Sequence, residues 1–245
     1  MPVFDADREA VLDRAREAGV GRIMVPGVDL PSSRRAVKLA EAHPEVFAAV
    51  GFHPHDADKL GEKELKELRE LAAHPKVKAI GEIGLDYYRD HSPRNVQRAA
   101  FRQQLDLAAE LDLPVIIHNR EAYADVMAAL SEWNGKRRGV LHSYSGDRTQ
   151  MSAALELGFF LGLTGPITFP KADEMRAVAA SAPLDKLLIE TDAPYLTPSP
   201  HRGRRNEPAY VRYVAQKLAD ARGENLDTVI TQTCANAAML FNWSQ

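Results

Sequence analysis

Seven short apolar runs, the amphipathic stretches between them and a length of 245 residues predict an α/β fold of the TIM (β/α)8-barrel type, with an open doubly wound sheet as the alternative. The chain opens on FDADREAVLDRAREAGV, which reads as an amphipathic helix with Asp5 or Asp7 as its N-cap. The strands expected after it are GRIMVPGV (21–28), VFAAVGFHP (46–54), VKAIGEIGLD (77–86), PVIIHNR (114–120), GVLHSYSG (139–146), FFLGLTG (159–165) and KLLIETDAP (186–194). Each is apolar nearly throughout, as a parallel strand covered on both faces should be. Between them lie helical patterns such as RNVQRAAFRQQLDLAAELD, where Ala100, Phe101, Leu105, Ala108 and Leu111 recur on one face. Seven strands are visible where a complete barrel has eight.

Composition narrows the class. At 45% hydrophobic and 27% charged residues the chain is that of an ordinary globular protein, and no linker or compositional shift divides it, so one domain is expected over 1–245. A net charge of -3 gives no long-range attraction for a polyanion, so any nucleic-acid binding must come from a local basic patch. Cys234 stands alone, which excludes an internal disulfide. With no apolar run of signal-peptide or membrane-spanning length, the expected compartment is the cytoplasm and no membrane partner is expected.

Four strands end alike, with a metal-capable side chain after the apolar run: Glu82 in AIGEIGLD, His118 in VIIHNR, His142 in VLHSYSG and Asp192 in IETDAP. Taken singly, each has an ordinary explanation as a hydrogen-bonded histidine or a helix cap. Taken together they would converge, because the C-terminal ends of barrel strands share one mouth. Two imidazoles and two carboxylates make a hard-to-borderline donor set suited to Zn²⁺, Mn²⁺ or Mg²⁺. A carboxylate such as Asp192 at the end of a buried strand costs several kcal/mol unless a cation or hydrogen bonds offset it, roughly the penalty of removing the charge from water. Glu190, two residues earlier and on the same side, is expected to orient a ligand.

GFHPH, GEIGLDYY, IHNR, LHSYSG and IETDAPYLTPSPHRGRRNEP, in this order, resemble the motifs of the TatD family of metal-dependent deoxyribonucleases, TIM barrels of the amidohydrolase superfamily. The resemblance implies that Glu82 bridges or shares two divalent metals, that His118 and His142 complete one metal position, and that Asp192 binds the other and activates the attacking water. It places His53 near the scissile phosphate. It implies a DNA substrate, with RNA as a further candidate, and release of nucleotides from a strand end as a 3′-5′ exonuclease. Two other readings stand beside it: hydrolysis of a small ester, lactone or amide, and binding of nucleic acid or phosphate without catalysis.

Further residues fit a phosphate-bearing substrate. Arg202, Arg204 and Arg205 cluster beside Gly203 just past Asp192, and guanidinium groups bind phosphate oxygens through charge-assisted, often bidentate hydrogen bonds. At least one of the three is expected to be solvated surface instead. Arg120, two residues after His118, is a fourth candidate. Asn206 reads as the N-cap of the following helix, with Pro208 in its first turn. Tyr87 and Tyr88 are candidates for stacking on bases, with core packing an equal account of at least one. Trp133, Trp243 and Cys234 read as core or interface residues.

One family feature has no counterpart. TatD proteins begin with a strand ending in a His-x-His pair, in a context like D-x-H-x-H, and nothing before GRIMVPGV matches it. The only such spacing, His53-Pro54-His55, belongs to another motif. The expectation is a first strand removed by a start assigned too far downstream or by truncation, with a real loss that leaves an open barrel as the alternative, and one well-bound divalent ion held by His118, His142 and Glu82 with a weak or empty second position. A monomer is the expected state.

Overall fold

A computed structural model describes residues 2–133 and 138–243. In chain order the elements are α1 (Arg8–Glu17), β1 (Ile23–Pro26), α2 (Leu30–Ala42), β2 (Val46–Val50), α3 (Glu62–Ala72), β3 (Val77–Asp86), α4 (Arg94–Glu110), β4 (Val115–Arg120) and α5 (Tyr123–Glu132). They continue with β5 (Gly139–Leu141), α6 (Arg148–Glu156), β6 (Phe160–Leu163), α7 (Asp173–Ser181), β7 (Leu187–Ile189), α8 (Val211–Arg222) and α9 (Leu226–Phe241). The chain groups into two compact units, one of Arg22–His142, Ala153–Phe159 and Met239–Gln245, the other of Met1–Gly21, Ser143–Ser152 and Phe160–Ala238.

The first of these units holds β1 to β5, each pairing in parallel with the next in sequence order. A doubly wound sheet reverses its strand order at a switch point. These five strands do not reverse, so the barrel-type order is the one adopted. The cores of β2, β3 and β4 are apolar and fully covered, with Val46, Ala48, Ala79, Ile80, Val115 and Ile117 all inaccessible to solvent, while β1 is only partly covered. Opposite β3, α4 buries Ala100, Phe101, Leu105 and Ala108, as the helical spacing predicts, and it also buries Gln97 and Gln104. Trp243 is buried between Phe47 and Phe241, with ring centroids 5.1 and 5.0 Å away.

The second unit carries β6 paired in parallel with β7, Leu161 opposite Leu187 and Leu163 opposite Ile189. Its N-terminal helix starts where the sequence predicts, with Asp7 at the N-cap position, but the Asp7 side chain makes no cap bond. Both its oxygens go instead to Arg205, at 2.9 and 2.6 Å. Arg14 on α1 reaches Glu207 through three hydrogen bonds of 2.7 to 3.1 Å, so two ion pairs tie the N-terminal segment to the 199–208 loop.

Several sequence expectations are corrected here. The ladders of β2, β5 and β7 stop at Val50, Leu141 and Ile189, so His53, His142 and Asp192 stand on loops past the strand ends rather than within strands. Asn206 does not cap a helix: its side-chain nitrogen donates to the carbonyls of Thr191 and Tyr195 at 2.7 and 2.6 Å, and Glu207 precedes the 3-10 turn Pro208–Tyr210. Two backbone acceptors in a tight loop are a better match for its amide than one helix N–H. Cys234 is exposed on α9, which excludes the core half of its core-or-interface reading.

Candidate metal centre

Strand β3 aims the Glu82 and Asp86 side chains the same way, because Glu82, Gly84 and Asp86 alternate with the core residues Ile83 and Leu85. The β3–β4 register slips between Ile80 and Ile83, where three steps on β3 face two on β4. A bulge of this kind re-aims a side chain. Here it frees the Glu82 N–H to donate to Gly27 O at 2.9 Å. Beyond the bulge the pairing resumes with Gly84 opposite His118 and Asp86 opposite Arg120. Gly84 has to be glycine: its φ is +141°, and a Cβ there would lie 2.0 Å from His118 O.

This register sets one imidazole between two carboxylates. His118 Nδ1 lies 2.9 Å from Glu82 Oε1, and His118 Nε2 lies 3.1 Å from Asp86 Oδ2. Asp86 is wholly buried. Its Oδ2 also accepts from His55 Nε2 at 2.8 Å, and its Oδ1 accepts the N–H groups of Tyr88 and Arg89 at 3.1 and 2.8 Å. Helix α4 fixes the backbone on both sides. The Gln97 amide bonds the N–H and carbonyl of Asp86, and the Gln104 amide bonds those of Phe52, next to His53.

The electrostatics follow from this packing. Burial works to raise Glu82, but the charge of His142 and the hydrogen bond and charge of His118 outweigh it, holding the carboxyl far below its usual range. Asp86 is likewise held low, its burial outweighed by the bonds from His118, Arg89 N–H and His55. Burial works to lower His118, yet its bonds to Asp86 and Glu82 raise it to about 8. At His53 the charges of Glu82 and Asp86 offset burial only in part, and burial drops it to about 3. It is therefore neutral, and since its Nδ1 accepts the His55 N–H at 3.2 Å, its proton is on Nε2, facing Glu82 Oε1 at 3.8 Å.

His53, Glu82 and His118 offer ligand atoms that all lie within 4.8 Å of one another. The set fits a divalent cation: an ionised carboxylate and an imidazole nitrogen that share a proton can share a metal instead. Asp86 then holds the outer nitrogen of His118, the usual partner of a ligating histidine. His142, half-buried just past β5, acts on Glu82 through its charge. His53 enters with a donor N–H rather than a lone pair.

The other sequence candidates lie as follows. Asp192 is half-buried on the loop after β7, in the left-handed region with φ +58°. Glu190 accepts from Ser143 N–H at 3.3 Å, and its carboxylate lies over Gly162, where a Cβ would be 1.8 Å from Oε1. Arg120 is exposed, its guanidinium 4.0 Å from the centre of the Tyr88 ring. Arg202 and Arg204 are exposed, Arg202 lying over Phe169 at 3.8 Å, while the Arg205 guanidinium bonds Asp7 and Val3 O. Sequence reasoning missed Asp86, His55, Gln97 and Gln104. For Asp86 the signal was present in GEIGLDYY, four residues after Glu82 and on its face.

The profile of TatD related DNases matches residues 1–242. The chain belongs to the TatD-related DNase family. Among its relatives are the uncharacterized metal-dependent hydrolase YabD of Bacillus subtilis, 43% identical over 239 residues with 97% of this chain and 94% of the relative covered, and a 3'-5' ssDNA/RNA exonuclease TatD of Erwinia tasmaniensis, 40% identical over 246 residues with 98% and 95% covered. The crystal structure of YJJV, a TatD homologue from Escherichia coli k12, matches with a TM-score of 0.95 at 36% identity, over 100% of this chain and 95% of that one. A hydrolase of the TatD family from Entamoeba histolytica matches at 0.88 and 25% identity, over 96% and 89%. The TatD-type α/β barrel predicted from the strand pattern is thus the fold of this chain, and it is a metal-dependent hydrolase by family.

Proposed function

We propose that this TatD-family chain hydrolyses phosphodiester bonds at the 3′ end of single-stranded DNA, and of RNA as a second substrate. The observation that carries the reading is the buried Glu82–His118–Asp86 line, whose charges hold two carboxylates ionised beside one imidazole. Glu82 and His118 would hold the cation, with His142 beside them as the resemblance implies; Mg²⁺, Mn²⁺ and Zn²⁺ all suit the donors. When bound, such an ion supplies Lewis-acid polarisation of the phosphoryl oxygen and a water of lowered pKa.

The chain's own residues do the rest. His53, neutral with its proton on Nε2, donates a hydrogen bond toward a phosphate oxygen without adding charge. Asp192 is assigned, on its motif, a metal-binding and proton-accepting role. Arg120, Arg202 and Arg204 are assigned to the substrate's phosphates, and Arg205 to holding their loop through Asp7. The family match over 1–242 supports one hydrolase domain. Among the described residues no helix is long and apolar enough to cross a membrane, and the lone Cys234 fits a reducing cytoplasm.

The test is release of label from 3′-labelled single-stranded DNA with Mg²⁺, Mn²⁺ or Zn²⁺. Release that His118→Ala abolishes supports the reading. No release with any of the three ions overturns it.

A further inference from the structure

Two adjacent tyrosines follow Asp86, and the structure separates them. Tyr87 is half-buried, its hydroxyl bonded to Asp125 and its ring covered by Arg94 at 4.4 Å. It is committed to packing. Tyr88 is 54% exposed, an uncommon state for a large aromatic side chain. Arg120 lies 4.0 Å from its ring centre and Arg89 5.6 Å, and neither guanidinium is ion-paired among the described residues.

We propose that Tyr88, with Arg120, is the seat of a nucleobase and its phosphate in a single-stranded substrate, one nucleotide away from the metal-ligating residues. The inference rests on the nuclease reading above and adds where the strand lies and how it is held. Three observations support it. Arg120 follows His118 by two residues on β4, so their side chains leave the same side of the strand, about 7 Å apart by strand geometry, a gap that one nucleotide of an extended strand bridges. Tyr88 is locked to the same frame, because the Asp86 carboxylate that holds His118 through Oδ2 holds the Tyr88 N–H through Oδ1. Finally, an aromatic face with unpaired guanidiniums beside it matches a base with its phosphate: the ring takes any base by stacking, and the planar guanidinium takes the oxygens. Such a seat holds single strands without reading sequence, which suits an enzyme that shortens a strand residue by residue.

The test compares two fluorescein-labelled octamers of equal charge, oligothymidylate and a strand of abasic residues, binding to the full chain in EDTA by anisotropy. The seat predicts that the unaltered chain prefers oligothymidylate. Tyr88→Ala should lose about tenfold on oligothymidylate, in line with one stacked base, and nothing on the abasic strand. Tyr88→Phe, which keeps the ring, should keep the preference, and Arg120→Ala should weaken both strands. Unchanged abasic binding also shows that Tyr88→Ala is folded. Loss of both strands alike in Tyr88→Ala, or of neither, overturns the seat. Equal binding of both strands by the unaltered chain, or binding of neither, overturns the seat alone, whereas the nuclease reading falls only if no label is released with any of the three ions.

Discussion

Asp86 Oδ2 lies 3.1 Å from His118 Nε2, on the side of the ring opposite Glu82, so a fully buried carboxylate fixes which imidazole nitrogen faces Glu82. The Glu82-facing nitrogen is free to ligate only while the other nitrogen keeps its proton and donates it in a hydrogen bond to Asp86.

Asp86→Asn keeps the size and removes the charge that His118 and His55 bind. Affinity for Mn²⁺ or Zn²⁺, measured by titration calorimetry, is expected to fall about 10- to 100-fold, the usual cost of losing a carboxylate behind a ligating histidine. Unchanged affinity would separate Asp86 from the metal centre.

The metal-free protein should be less stable at pH 9 than at pH 6.5. His118 titrates at about 8 when folded and near 6.5 when unfolded, so its contribution is fully present below 6.5 and is lost as pH rises through 8. At most about 2 kcal/mol is involved. His53 has the opposite sign, since it stays neutral down to about 3 when folded, and its cost appears only below pH 6.5. Urea melts at a series of pH values, with and without His118→Gln, check this: the fall between 6.5 and 9 should vanish in the variant. Metal affinity should rise over the same interval, because cation and proton compete for one nitrogen.

Gly84→Ala puts a methyl 2.0 Å from His118 O at a φ of +141°. Backbone cannot yield as a side-chain tip can, so a loss of about 2 kcal/mol or more is expected, together with weakened metal binding as β4 shifts. Denaturant unfolding and metal titration of the same sample check both.

Arg205→Ala should leave affinity for single-stranded DNA within about twofold while lowering the melting temperature slightly, because its guanidinium serves Asp7 in a half-buried ion pair. Asp7→Ala should lower the melting temperature to a similar extent, and the double variant should lose less than the sum of the two. Strongly weakened DNA binding in Arg205→Ala would return it to the substrate.

The strands were legible in the sequence because a run covered on both faces must be apolar, and all seven lie inside their expected stretches. Their ends were less so: His53, His142 and Asp192 follow directly on apolar runs, and nothing local marks where the ladder stops. Glu82 and His118 were legible from residue type after an apolar run, although both lie within their strands rather than at the ends. Gln97 and Gln104 were not, since a glutamine on a helix reads as solvent-facing and its bonds to Asp86 and Phe52 span 11 and 52 residues. The Arg14–Glu207 and Arg205–Asp7 pairs were hidden by separation in the same way, at 193 and 198 residues. Arg205 read as a phosphate ligand because its three-arginine neighbourhood is visible and its acidic partner is not.

Gln97 and Gln104 stand seven residues apart on α4, two turns of one rod, and one grips the end of β3 at Asp86 while the other grips the loop at Phe52, each by its main chain. The helix therefore works as a ruler. The separation between the backbone bearing His53 and the backbone bearing Asp86 is copied from the pitch of α4, so a residue inserted between the two glutamines would swing one grip about 100° around the axis and mis-set the site with every ligand still in place.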